Sequence, residues 1–410
     1  MAKKLTIKGI ATLAEVSAGT VDRVIHNRGY VSEQARAKVE KVLADIDYRY
    51  NIHTSAIALK KSFKIVICIP EIKVGEYWGL IRNGIETALF EYSDVNITCK
   101  YFLYDQFDIN SCREAFHKVV AEDTDIVIFA PAFMDDSYNL CRELDSKKIP
   151  YIFIDSTLEG ANPLATICSD QKACGKLAAR ILESKMGIIN TLAILSPQRT
   201  GEIKAQNSLE RKSGFIEYFH KRNRLKKIKE STFSVTDPKT GEKQILKFIK
   251  NNKNVKGIAV LNSRGYLVAE TLKKENISNI SVISFDLTEK NQTLLEDGHI
   301  SALICQRPQH QGFQAVKTAI SHLLYRNITP GTQHIMPIDV IYKENLPFYS
   351  EITPPWRYFR HNELGITPGL SRPHGIPPSS DPARCLTGSH RYGPCEEGTY
   401  TVETDRYRRL

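Results

Sequence analysis

Thr6-Ile-Lys-Gly-Ile-Ala-Thr-Leu-Ala14, then Glu15-Val-Ser17, then Ala18-Gly-Thr-Val-Asp-Arg-Val-Ile-His-Asn27 reads as two short helices joined by a tight turn, and residues 32–46 read as a third. Apolar residues fall at Ile7, Ile10, Ala11 and Ala14, at Val21, Val24 and Ile25, and at Val39, Val42, Leu43 and Ile46. This i, i+3, i+4, i+7 spacing gives each helix one face to bury against the other two. Ser17 and Ser32 stand where side-chain oxygens would cap the second and third helices. A three-helix unit of this size with surplus positive charge has the arrangement of a helix-turn-helix DNA reader.

The charge is placed to match. Residues 1–64 hold twelve Lys and Arg against six Asp and Glu, so most of the net charge of +10 sits on this small unit. Phosphate attraction would be useful there, although a solvated cationic surface would show the same balance. The chain of 410 residues leaves room for two or three domains, and 42% hydrophobic with 25% charged residues is a globular composition. No apolar run approaches the roughly 20 residues of a membrane span, and the start Met1-Ala-Lys-Lys-Leu-Thr-Ile-Lys8 lacks a signal-peptide core. Nine cysteines without a CxxC pair read as buried reduced thiols. A cytoplasmic protein without membrane contact, metal or cofactor is expected.

Beyond the headpiece, strands and helices alternate. Candidate strands are 63–69, 97–103, 125–130, 151–154, 191–195, 257–261, 281–285 and 300–304, several of them continuous β-branched runs such as Lys64-Ile-Val-Ile-Cys-Ile69. Such runs suit strands covered on both faces of a parallel sheet. Alternation over nearly 290 residues means an α/β protein. No GxGxxG or P-loop follows a strand, so two doubly wound lobes with a cleft between them fit better than a nucleotide-binding domain. Residues 51–61 between headpiece and body are helix-capable but too short to be stably helical alone. They are either a plain spacer or a segment that folds on DNA.

Together, Thr6-Ile-Lys-Gly-Ile-Ala11, Val16-Ser-Ala-Gly-Thr-Val-Asp-Arg-Val-Ile-His-Asn-Arg-Gly-Tyr-Val-Ser32 and Asp47-Tyr-Arg-Tyr-Asn51 resemble the LacI/GalR (lactose-repressor) family of bacterial transcription regulators. The resemblance covers about residues 5–345. It implies a headpiece at 1–50, a hinge helix at 51–61 and a two-lobed, type I periplasmic-binding-protein-like sensor at 62–350. It also implies a homodimer on double-stranded operator DNA, repressing or activating according to a small sugar or sugar-like effector. Thr6, Ser17 and Thr20 would hold phosphates. Ala18, Gly19 and Arg23 would face base edges, with His26 and Tyr30 nearby. Arg23 alone is long enough to take guanine O6 and N7 together. Asn51 would open the hinge and Ile57 would wedge into the minor groove. Asp22, His26 and Tyr50 depart from the usual Ser, Asn and Pro of the family.

In the sensor the resemblance implies that Tyr77 and Trp78 would stack on a ring, while Asp155, Arg211, Asn262, Asp286 and Gln306 would hold hydroxyls. Each has a plainer reading as a packing, surface or cap residue. Ser156 and Ser263 stand where relatives carry Arg and Asp, which leaves a sugar acid or polyol open as effector. Residues 351–410 hold eight of the eighteen prolines and little apolar periodicity, and are expected to be disordered or a non-native extension. The competing functions are a solute-binding protein without productive DNA binding, and an enzyme. Against the enzyme, no nucleophile elbow, HExxH or clustered carboxylate-histidine set is present.

Overall fold

A computed structural model describes residues 7–25, 30–45, 62–186, 191–198, 206–220, 228–350 and 399–403. Three helices form the headpiece: α1 (Ile7–Ala14), α2 (Ala18–Ile25) and α3 (Glu33–Asp45). Ile10, Ala14, Val21, Val24 and Val39 are its buried centre. Both serine caps form: Ser17 Oγ accepts the Thr20 N–H at 3.1 Å and Ser32 Oγ accepts that of Ala35 at 3.4 Å. Between α1 and α2, Glu15 takes a left-handed φ of 51°, and the Val16 N–H closes the turn on the Ala11 carbonyl at 3.0 Å. Thr6, His26, Ile46, Asn51, Ile57 and the hinge segment 51–61 lie outside the described residues.

The body is two lobes of the same plan. In the first, β1 (Phe63–Pro70), α4 (Tyr77–Glu91), β2 (Ile97–Tyr104), α5 (Ile109–Ala121), β3 (Ile126–Phe129), α6 (Met134–Ser146), β4 (Tyr151–Ile154) and β5 (Ala165–Cys168) alternate along the chain. The second holds α7 (Gln171–Met186), β6 (Thr191–Pro197), α8 (Gln206–His220), β7 (Ile228–Phe233), α9 (Pro238–Asn251), β8 (Val255–Ala259), α10 (Gly265–Lys274), β9 (Ser281–Phe285), α11 (Glu289–Glu296) and β10 (Ala302–Cys305). The chain then returns to the first lobe as α12 (Pro308–Tyr325) and β11 (Thr332–Ile335), and to the second as β12 (Asp339–Ile341) and α13 (Pro347–Ser350). It therefore crosses between lobes three times, near residues 169–170, 306–307 and 336–338.

The first sheet runs β11-β5-β4-β3-β1-β2 and the second β12-β10-β9-β8-β6-β7, all parallel apart from β12. In both, the strand order reverses beside the lobe's first strand, which opens a crevice at the carboxyl ends of β1 and β3 and of β6 and β8. The expected strands all form, with ends shifted by at most two residues. The β5, β7, β11 and β12 strands were not foreseen: β5 is only four residues long, and the other three are partly exposed strands at the sheet margins. The tail also differs from expectation over five residues. Thr399–Glu403 forms β13, antiparallel to β2 at the edge of the first sheet. Thr, Tyr and Val suit a strand, and the proline-rich stretch before them hid them.

Each lobe is braced by a pair of helices that touch backbone to backbone. A Cβ on Gly84 of α4 would sit 1.8 Å from the Gln309 carbonyl oxygen, and one on Gly312 of α12 would sit 2.1 Å from that of Ile81. The second lobe repeats this in α7 and α8, where a Cβ on Gly175 would sit 1.8 Å from the Arg211 carbonyl oxygen and one on Gly214 2.0 Å from that of Lys172. Only glycine allows such an approach, because the obstacle is backbone and cannot swing away. Gly175→Ala should therefore force α8 outward and cost about 1–3 kcal/mol, as overpacking does. Urea unfolding checks this, and an unchanged midpoint would mean that the two helices part without cost.

Candidate functional site

Where the two crevices face each other the lobes enclose a cavity of about 110 Å³. Trp78, Gln106, Phe107 and Asp155 line it from the first lobe, and Asn207, Lys212, Asn262 and Arg264 from the second. The lobes meet at its mouth. Arg264 pairs with Glu76 at 2.8 Å, the Glu289 N–H donates to the Gly75 carbonyl at 3.0 Å, and Thr157 Oγ1 reaches Glu210 at 3.4 Å.

Two buried carboxylates hold equivalent places in the two lobes. Asp155 directly follows β4 and Asp286 directly follows β9, each with left-handed backbone, φ 72° and 62°. Asp tolerates this region better than most residues. The Asp155 N–H donates to the Ile167 carbonyl and the Asp286 N–H to that of Ile304, so each is tied to the next strand of its sheet. Asp155 Oδ1 accepts the Tyr77 hydroxyl at 2.6 Å, and its Oδ2 accepts Asn207 Nδ2 at 2.9 Å across the cleft.

Arg211 lies beneath the cavity, 2% exposed. Its Nε donates to Gln171 Oε1 at 2.7 Å, Nη1 to the Leu261 carbonyl at 2.8 Å and Nη2 to Gln306 Oε1 at 2.8 Å. The guanidinium also stacks over Phe285, 4.2 Å from the ring centroid. Gln306 Nε2 lies 3.3 Å from both Asp286 oxygens, and Gln171 Nε2 reaches the Asp155 carbonyl at 3.0 Å. Gln311 of α12 accepts the Asp155 N–H at 3.2 Å and donates to the Gln306 carbonyl at 3.0 Å.

Of the seven cleft residues expected from the sequence, Trp78, Asp155 and Asn262 line the cavity. Tyr77, Arg211, Asp286 and Gln306 form the buried layer behind it. Tyr77 engages Asp155 by its hydroxyl while its ring packs edge-on against Trp78, and Trp78 Nε1 donates to Gln106 at 3.3 Å. Asn262 Oδ1 is spent locally on the Arg264 N–H at 2.9 Å. Gln106, Phe107, Gln171, Asn207, Lys212, Arg264 and Gln311 were missed. Gln106 and Phe107 follow β2 and could have been found by reading every loop after a strand, whereas Gln171 and Gln311 carry no sequence signal.

In the headpiece, Gly19 and Arg23 are exposed, four residues apart on α2 and opposite buried Val21 and Val24, with Ser17 beside them. Ser17 Oγ is 2.9 Å from Thr20 Oγ1. Ala18 is half-buried and Tyr30 is exposed.

Burial raises both carboxyl pKa values in the cleft. Asp155 rises, with Arg211 and the Tyr77 hydroxyl acting against the shift. Asp286 is pushed up to about 7 by burial, opposed by Arg211 and reinforced by the negative charge of Asp155. Its folded value lies above its unfolded one, so the folded protein retains a proton that the unfolded chain releases. Stability from this group therefore falls as pH rises from about 4 to 7 and stays low above that. Asp286→Asn should raise the thermal midpoint at pH 8, and the gain should shrink as the pH is lowered to 5. A gain independent of pH would place the titration elsewhere.

A helix-turn-helix headpiece followed by two doubly wound lobes around a polar cleft defines a DNA-binding regulator with a ligand-sensing body. Residues 6–51 match the bacterial regulatory proteins of the lacI family, and residues 65–326 match the periplasmic binding protein domain. A Bacteroides fragilis protein assigned to the LacI transcriptional regulators shares 31% identity over 70% of this chain and all of its own, with a TM-score of 0.66. The chain belongs to the LacI family of transcription regulators. The HTH-type regulator DegA of Bacillus subtilis is 29% identical over 201 residues, 48% of this chain but only 58% of its own length. The ribose operon repressor of Lactococcus lactis is 22% identical over 289 residues, 70% of this chain and 82% of its own. Among the described residues no helix is long and apolar enough to cross a membrane.

Proposed function

We propose that the protein is a cytoplasmic transcriptional repressor without enzymatic activity, acting as a homodimer on near-palindromic operator DNA. Its affinity for the operator is set by a small neutral sugar or sugar-like effector held between the lobes. The observation that carries the effector reading is the bond from Asn207 of one lobe to Asp155 of the other inside the cavity. A ligand hydroxyl that takes over either group changes how the lobes are joined. Repressor names among the relatives, a ribose operon repressor included, support the sign and the ligand class.

The charge balance narrows the ligand. Lys212 pairs with Glu230 at 2.6 Å and Arg264 with Glu76 at 2.8 Å, while Asp155 and Asp286 share the one buried Arg211. Among the described residues that line the cavity no cation is left over for an acidic ligand, so a neutral polyol or sugar is favoured over the sugar acid that the sequence left open. Trp78, Asp155 and Asn262 contact it, with Tyr77, Arg211, Asp286 and Gln306 holding their positions. On the DNA side Ser17 and Thr20 meet phosphates, and Ala18, Gly19 and Arg23 face bases, with Thr6, His26, Tyr30, Asn51 and Ile57 completing the contact set.

Selection of duplexes from a random pool by the full chain at moderate salt is expected to return a palindrome. Recovery without any consensus would leave a sugar-binding protein that does not read DNA. On the recovered site, Asp155→Asn should abolish release by an effector while operator affinity stays within about twofold; release at normal effector concentration would remove Asp155 from the site. Gly19 gives a test with two opposite signs. A Cβ there would meet nothing nearer than Ser17 Oγ at 3.8 Å, so packing does not explain an exposed helical glycine that costs about 0.5–1 kcal/mol relative to Ala. Gly19→Ala should slow hydrogen exchange in α2 yet weaken operator binding. Unchanged binding would mean that DNA does not approach this position.

A further inference from the structure

The cavity between the lobes is small for a complete ligand site. Small-molecule sites span roughly 300–1,000 Å³, and this one encloses about 110 Å³. It does not end at its own wall. A second chamber of about 320 Å³ lies immediately outside, and Gln106, Phe107 and Arg264 line both.

The outer chamber is built by loops that leave the carboxyl ends of strands, as the inner one is. Glu71, Lys73 and Glu76 follow β1, Asp105 follows β2, Val235 and Thr236 follow β7, and Tyr266 opens α10. Its walls combine the rings of Phe107 and Tyr266 and the side chain of Val235 with a polar rim. Between the chambers stands Arg264. Its guanidinium lies 5.7 Å from the Phe107 centroid and 6.0 Å from that of Tyr266, and is anchored to Glu76 of the opposite lobe. The side chain is only 11% exposed and can present N–H donors to both chambers. Aromatic faces, a planar donor and carboxylates around a ring-sized space are the groups that recognise a hydroxylated ring.

We infer that the effector is a disaccharide or longer glycoside, with one ring in the inner cavity and the next in the chamber walled by Phe107, Val235, Tyr266 and Arg264. This rests on the carbohydrate reading above and specifies its size. The second ring contacts residues of both lobes, so it adds to the hold on the closed arrangement as well as to affinity. Arg264 is the element that sees both rings.

Calorimetric titration of the full chain with maltose, cellobiose and lactose, set against glucose and galactose, tests this. At least one disaccharide is expected to bind about tenfold or more tightly than its component monosaccharides, the effect of one added favourable ring contact. Thr236→Tyr, at an exposed position where the larger side chain fills the outer chamber, should erase that preference and leave monosaccharide affinity within about twofold. Tyr266→Ala should do the same by removing a wall. Monosaccharides binding as tightly as every disaccharide, or a preference untouched in Thr236→Tyr, overturns the two-ring assignment alone. Binding by no sugar of either size overturns the carbohydrate reading together with it.

Discussion

A guanidinium sealed from water must have its donors satisfied inside the protein, and that requirement organises the body of this molecule. Leaving a buried charge unpaired costs several kcal/mol, so Arg211 needs acceptors on every side. It finds them in Gln171 and Gln306 and in the Leu261 carbonyl. Gln171 and Gln306 stand where the chain passes from one lobe to the other. The cation therefore does more than fill the floor of the cleft. It fixes the relative position of two crossing segments, and Gln311 extends the same network into the helix that braces the first lobe.

The two lobes show how little sequence is needed to repeat a plan. Asp155 and Asp286 share position, backbone conformation and hydrogen-bond register, yet their neighbours differ. Asp155 accepts Tyr77 and Asn207 and faces the cavity, whereas Asp286 is enclosed with Gln306 as its donor. One frame thus yields an acceptor that faces the cavity and an enclosed carboxyl held against Gln306, the amide that Arg211 also uses. The paired glycine crossings of α4 with α12 and α7 with α8 belong to the same repetition. They bring α8, which carries Arg211, against α7, which begins at Gln171.

The headpiece was legible almost entirely, because its information is local: apolar stripes three and four residues apart and serines at helix starts. The lobes were legible as alternation, since Ile65–Ile69 or Val282–Phe285 can only be interior strands. Marginal strands such as Ile228-Lys-Glu-Ser-Thr-Phe233 escaped because half-exposed faces carry polar side chains without strict alternation. The cleft divided in the same way. Asp155 and Asp286 could be found as acidic residues ending apolar runs. Which of them meets the ligand could not, because that depends on Asn207 and Gln306 arriving from distant elements. Gln171, Gln311 and the outer wall at Val235 and Tyr266 are products of topology, and no local pattern announces them.

Geometry also bears on how a sugar could affect DNA binding at all. The cleft lies at the carboxyl end of β1, where Pro70 lines the cavity, while the hinge segment joins the chain at the amino end, before Phe63. Seven strand steps, roughly 23 Å, separate them, so the cleft and the point where the hinge segment joins lie at opposite ends of β1. An effect of a ligand on the operator would have to pass through a change in how the second lobe sits against the first. The headpiece is joined to the first lobe, and in a single subunit such motion would leave one headpiece's fit to its half-site unchanged. A change in DNA affinity requires a second copy, held so that altering the angle between lobes alters the spacing of the two headpieces. The coupling must be reciprocal: an effector that weakens the operator complex is itself bound less tightly by the DNA-bound form. The proposed homodimer is therefore what allows a bond as small as Asn207 to Asp155 to be read at the operator.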